Sequence, residues 1–303
     1  MSNPTVAFST PATASGWKRW LVFSPVARIM IFVVAMAVLS TISGTVDHFA
    51  FGGSKHMTFG TPSGVAVYLT TMVLPAVLAY LFLVRVVEQR RLGELAAHRL
   101  LRGVISGILG GLALFSAVVG ILWLLGSYHV TGTSSDVHWL LALLSVGVGA
   151  GIGEEVLFRG VLYRIAEEGL GTWWALLISA LFFGFAHSHN PGATAWSSAA
   201  IAIEAGILLA LLYHVTRSLW PCIGLHAAWN FAQGTIYGIP VSGSAASGWL
   251  VSTRTGPDWL SGGVFGAEAS VVALALCLLC SAALLAVALR RGSFVRPSWR
   301  RRR

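Results

Sequence analysis

Apolar runs of about twenty residues recur along this chain, and a helix of that length crosses a bilayer core roughly 30 Å thick. Four runs are long and clean: residues 26–44, 65–84, 104–125 and 264–289. Four more are shorter or interrupted by polar groups: 140–161, 173–186, 196–213 and 219–236. Backbone N–H and C=O groups in lipid must be satisfied within the segment itself, so such runs are read as helices. The expected fold is all-α, a polytopic membrane protein of about eight transmembrane helices. Only 10% of the 303 residues are charged, against about a quarter in soluble domains, and no interval between runs is long enough to house a separate soluble domain.

The net charge of +9 raises the question of nucleic acid, and its placement answers it. With eight spans and both the N and C termini cytoplasmic, 18 of the 20 Lys and Arg residues fall on the cytoplasmic side, and only Lys55 and Arg254 on the outer side. That is a positive-inside distribution. It holds at 17 against 2 when Arg159 is placed inside the membrane. No nucleic-acid partner is expected. The partners are membrane lipid and a membrane-associated substrate, and the location is a cell membrane, with a bacterial inner membrane favoured by the Arg- and Ala-rich composition and short loops. Residues 1–19 read as a disordered cytoplasmic tail without a cleavable signal, 20–290 as one transmembrane domain, and 291–303 as a basic tail at anionic headgroups. The segment 85–103 reads as a basic amphipathic helix on the inner surface. Cys222, Cys277 and Cys280 lie within predicted spans, where packing is the expected role and no disulfide framework is implied.

Two glycine patterns predict close helix contacts. Gly103, Gly107 and Gly111 are spaced by four, as are Gly147 with Gly151 and Gly149 with Gly153. The second set precedes "GEEVLFRGVLYR", where two glutamates and an arginine interrupt an apolar run. A charge at the bilayer centre costs about 3 kcal/mol or more and usually marks a site. Glu155 and Arg159, four apart with the acid first, share a helix face in the favourable order for an ion pair. Glu154 lies about 100° away around the helix, free to point elsewhere. In "FFGFAHSHNPG", Phe183 and His187 share a face, and in "IGLHAAWNFAQG" His226 and Asn230 do. One carboxylate, two imidazoles and a carboxamide therefore come from three spans.

These stretches resemble the signature of the CPBP family of intramembrane endopeptidases, the CAAX-prenyl-protease and bacteriocin-processing proteins that include the Rce1-like enzymes. The family pattern is EExxxR, FxxxH and HxxxN on successive membrane helices. Here it reads Glu154 to Arg159, Phe183 to His187 and His226 to Asn230, within a catalytic core of about 140–237. The resemblance implies metal-free peptide-bond hydrolysis with no cofactor. Glu154 and His187 would activate water, His226 and Asn230 would hold the oxyanion, and Glu155, Arg159 and Phe183 would support the site. An apolar cavity suits a carboxylate base, and an oxyanion donor is worth about 3 kcal/mol. The family's name points to a lipidated peptide or protein substrate. His189 offers a second FxxxH match from Phe185, but "FGFAH" at His187 is closer to the family phrasing. His189 and Glu204 are left as candidate supporting residues, Glu204 either as a partner of a histidine or as a polar lining of the substrate path. If His187 ends its helix, Glu154 and His187 meet only when the fourth helix runs long, to about Glu168.

Three other readings compete. Glu154, His187 and His226 form a carboxylate–imidazole set suited to zinc, although HExxH is absent. Buried Glu and His also build proton-coupled transporters, but the polar groups sit in one half of the chain without a repeated counterpart. A family member can also serve as a non-proteolytic immunity protein. Neither GxSxG nor GxGD occurs in the chain.

Overall fold

The computed structural model describes residues 6–50 and 60–301. Lys55, Arg302, Arg303 and the first five residues of the expected N-terminal tail lie outside it. Six helices in the described residues are long and apolar enough to cross a membrane: α1 (Pro25–Ala50), α2 (Pro62–Val87), α3 (Ala97–Leu124), α4 (Trp139–Leu170), α6 (Ala195–Thr216) and α8 (Val271–Arg290). Two shorter helices complete the eight. They are α5 (Thr172–His187) and α7, which runs through Trp220–Phe231 and on through Ala232–Ile236. The all-α polytopic expectation holds, with six helices of spanning length among the described residues in place of about eight, and with one addition. A small antiparallel hairpin pairs β1 (Tyr128–Thr133) with β2 (Leu250–Arg254).

The ends of the helices follow from local chemistry. Thr61 accepts a hydrogen bond from Gly64 N ahead of Pro62, and Ser270 accepts one from Ala273 N to start α8. Thr194 and Ser197 form a reciprocal cap at the start of α6, which satisfies otherwise orphaned N–H groups. Gly171, at φ 87°, makes the abrupt reversal from α4 into α5, a conformation that glycine adopts without strain.

Both glycine patterns mark close packing, and both converge on α7. A Cβ on Gly107 would overlap the Pro221 carbonyl oxygen, and one on Gly151 would sit 3.1 Å from the Ile223 carbonyl oxygen. The backbones of α3 and α4 thus press on the helix that carries His226 and Asn230. The other face of the α4 ladder, at Gly149, meets Tyr68 and Leu69 of α2.

The end of the bundle where α1 begins differs from expectation. Segment 85–103 is not a surface helix. α2 continues to Val87, α3 starts at Ala97, and only a short 3₁₀ turn, Gly93–Leu95, lies between. Its charges turn inward. Glu88 pairs with Arg28 at 2.6 Å, Arg90 at 2.7 Å and Arg164 at 3.0 Å, while Glu168 pairs with Arg28 at 2.7 Å. Arg164 and Arg28 are 1% and 2% exposed, so these are buried ion pairs and not loose headgroup contacts. Burial opposes ionisation of Glu88, but the Arg164, Arg90 and Arg28 guanidiniums hold its carboxyl below the ordinary 4.5.

The tails are tethered too. Phe8 packs beside Phe23 and under the Arg28 guanidinium, where a disordered segment was expected. At the other end, Thr172 N donates to Val295 O at 3.0 Å, Val295 N donates to Thr172 Oγ1 at 2.9 Å, and Phe294 stacks near Trp173. The basic tail, as far as Arg301, therefore lies against the α4–α5 turn.

Candidate active site

The α4–α5 hairpin sets the height of the site. Glu154 lies 17 residues before Gly171 and His187 lies 16 after it, so at ~1.5 Å per residue both stand about 25 Å from the turn. α4 reaches Leu170, well beyond the expected 161. Its 32 residues measure ~48 Å, longer than the bilayer core is thick. α5, at 16 residues, is too short to cross, and so its last residue, His187, lies inside the bundle.

Glu154 and the two histidines meet in a cavity of ≈ 330 Å³. Glu154 Oε2 is 3.8 Å from His187 Nε2 and 3.9 Å from His226 Nε2. These gaps are too long for direct hydrogen bonds and short enough for one water molecule to touch all three. Asn230 lines the same cavity, with its Nδ2 donating to the Val146 carbonyl at 3.2 Å. One amide N–H remains for another acceptor.

Around them runs a rigid support. Glu155 Oε1 accepts from Arg159 Nη1 at 2.8 Å and faces His226 Nδ1 at 2.8 Å. Arg159 Nη2 donates to the carbonyls of Ala205 and Gly206 at 2.7 and 3.2 Å, tying α4 to α6. The guanidinium sits 4.7 Å over Phe183, whose ring stacks on His187 at 4.6 Å. Glu155 and Arg159 are fully buried, and the helix changes to π-type turns over Val156–Tyr163, directly after Glu155 and including Arg159. Such turns are frequent at functional sites.

Hydrogen-bond chemistry constrains both imidazoles. His187 Nδ1 is 2.8 Å from the Phe183 carbonyl, which can only accept, so Nδ1 carries the proton and Nε2 faces Glu154 as an acceptor in the neutral ring. His226 Nδ1 faces the Glu155 carboxylate and is likewise the donor there. Its Nε2 can donate only when the ring holds both protons. Carboxylate oxygens thus face both ring nitrogens, Glu155 at Nδ1 and Glu154 near Nε2, an arrangement that accommodates a doubly protonated ring.

Of the two residues left open by sequence, Glu204 lines the cavity and His189 does not. Glu204 Oε2 is buried and accepts no hydrogen bond. His189 is exposed, edge-on to Phe185 and beside Ser188. Sequence reasoning passed over Glu268, which also lines the cavity and accepts from Ser242 N at 2.5 Å. The signal was available, because it is the one acid in the run 264–289. Among the described residues, no three His, Cys, Asp or Glu side chains, the Glu154, His187 and His226 set included, are arranged as they stand to hold a metal ion.

The family model for type II CAAX prenyl endopeptidases, Rce1-like, matches residues 136–232. That stretch is similar to the Rce1-like family. It contains α4 to most of α7 and all three motifs, while Glu268 and helices α1–α3 and α8 lie outside it. Searches of curated proteins and of solved structures found no match. The Rce1-like match and the six apolar helices make this a multi-pass membrane protein, and the match supports an intramembrane endopeptidase in general terms.

Proposed function

We propose that the chain hydrolyses a peptide bond of a membrane-associated or lipidated substrate, with Glu154 as general base and the His226–Asn230 pair as oxyanion hole. The single observation that carries this reading is the placement of Glu154 Oε2, 3.8 and 3.9 Å from the Nε2 atoms of His187 and His226. Glu154 takes one proton from the bridging water, and the hydroxide attacks the scissile carbonyl. Negative charge then develops on the carbonyl oxygen, where His226 Nε2–H and the free Asn230 N–H donate to it. The proton held by Glu154, relayed through His187 Nε2, passes to the leaving amine as the C–N bond breaks. Glu155 and Arg159 keep the His226 ring oriented and charged without touching substrate. Every proton in this sequence starts and ends on a group of this chain, the water or the products, with no cofactor. The distribution of Lys and Arg supports placing the Pro25 end of α1 on the cytoplasmic face.

The test compares wild type with Glu154→Gln and His187→Ala, purified in lipid and presented with a library of hydrophobic peptides. Cleavage products that vanish in Glu154→Gln and fall at least ~100-fold in His187→Ala support the reading. Equal cleavage by all three proteins ends it.

A further inference from the structure

A second acidic feature occupies the same cavity, and the hydrolytic steps above make no use of it. Glu204, from the π-type turns of α6 over Ala202–Ile207, and Glu268, from the turn ahead of α8, both line the cavity that holds Glu154. They are 2% and 3% exposed and close enough for Glu204 to feel the charge of Glu268. Glu268 has partners in Ser242 N and Gln233. Glu204 Oε2 has no hydrogen-bond partner. An unpartnered carboxyl oxygen buried against a cavity is costly and is not explained by packing.

The remaining wall fixes what such a pair can receive. Among the described residues, no lysine or arginine lines the cavity, and its charged or chargeable lining consists of three glutamates, three histidines, a tyrosine and a cysteine. Arg254 lies within electrostatic reach of Glu268 but donates to the Ser261 carbonyl at 2.8 Å, outside the lining. Two carboxyls in one apolar enclosure resist ionisation through burial and mutual repulsion, and a cation bound there relieves that repulsion. A substrate carboxylate would add to it. Ile201, Leu208 and Phe183 form an apolar wall beside the pair, suited to the methylene stem of a long basic side chain whose charged head lies beyond it.

Resting on the hydrolytic reading for the site it adjoins, we propose that Glu204 and Glu268 form a subsite that receives the ammonium or guanidinium of a substrate lysine or arginine near the scissile bond. The substrate class is then an internal, basic-residue-bearing stretch of a membrane-associated chain.

Full-length protein in lipid nanodiscs carrying Glu154→Gln is titrated with fluorescent hydrophobic peptides bearing lysine, norleucine or glutamate at successive positions. At one position the lysine peptide is expected to bind roughly tenfold or more tighter than the norleucine peptide, the scale of a hydrogen bond to a charged group, and the glutamate peptide weakest. Adding Glu204→Gln or Glu268→Gln should bring the lysine/norleucine ratio to about one with norleucine binding unchanged, and Glu268→Asp should retain the preference. The ratio is taken within each protein, so the amount of folded material does not affect it. Equal binding of lysine and norleucine peptides at every position overturns the subsite, as does a preference that survives both glutamine variants. Cleavage by the protein with native Glu154 is measured on the same peptides. Hydrolysis without a lysine preference sinks the subsite alone, and a lysine preference in binding without hydrolysis sinks the hydrolytic reading alone.

Discussion

Replacing Arg159 with methionine separates the support of the site from its chemistry. The Glu155–Arg159 pair is fully buried at 2.8 Å, and removing one member of such a pair leaves an uncompensated charge at a cost of about 3–5 kcal/mol. The carbonyls of Ala205 and Gly206 would also lose their donor, at roughly 1 kcal/mol each. The total, about 5–7 kcal/mol, rivals the entire net stability of a typical domain. Arg159→Met should therefore unfold at much lower denaturant and fail to cleave. Adding Glu155→Leu removes the stranded carboxylate, and replacing a whole buried pair with apolar groups is often neutral or stabilising. Most of the stability should return. Activity should not, because His226 Nδ1 then has no acceptor to orient it and keep the ring charged. Equilibrium unfolding in mixed micelles and peptide cleavage on the three proteins read out both halves. A single variant within ~1 kcal/mol of wild type, or a double variant that cleaves at the wild-type rate, would refute the reasoning.

Other outcomes follow from the same geometry. Asn230→Ala should lower kcat about 100- to 1,000-fold with little change in KM, since the lost donor acts on developing charge; a change confined to KM would contradict that role. Cleavage should persist after exhaustive chelation with 1,10-phenanthroline, whereas loss restored by added zinc would favour the rival set of Glu154, His187 and His226 as ligands. Because its arginine partners hold Glu88 below 4.5, its contribution to stability is complete above that pH and is lost as pH falls through the lowered value. Thermal unfolding from pH 7 to pH 3 should show a steeper acid loss for wild type than for Glu88→Gln, and identical slopes would contradict the assignment. Glu268 titrates the opposite way. Burial raises its pKa, partly offset by the Ser242 hydrogen bond, so the folded state binds the extra proton and its contribution declines as pH rises above 4.5. Glu268→Gln should flatten that decline.

The membrane class, the positions of the apolar helices and the face-sharing pairs were legible because they depend on periodicity and on the cost of charge in lipid. Glu155 with Arg159, Phe183 with His187, and His226 with Asn230 are each four apart, a spacing readable without coordinates. The glycine ladders likewise announced close contacts, though not that both would press on α7. What stayed hidden depends on tertiary partners. Arg28, Arg164 and Glu88 look like surface charges in sequence, and only the meeting of α1, α2 and α4 buries them together. The tail around Val295 reads as lipid-bound and not as packed on protein because its anchor, Thr172, is 123 residues away. The Glu155 partner of His226 Nδ1 stayed hidden for the same reason, since it comes from another helix. Glu268 was overlooked because a lone acid near the start of an apolar run looks like a boundary residue.

The proposal stands or falls on water being the nucleophile that Glu154 activates. A single-turnover cleavage in water enriched in oxygen-18, with enzyme in excess over peptide, tests this directly by mass spectrometry. The account predicts one heavy oxygen in the new peptide carboxylate and none in the tryptic fragment containing Glu154. Heavy oxygen in the Glu154 side chain would show that the glutamate itself attacks the carbonyl, and the account would be wrong.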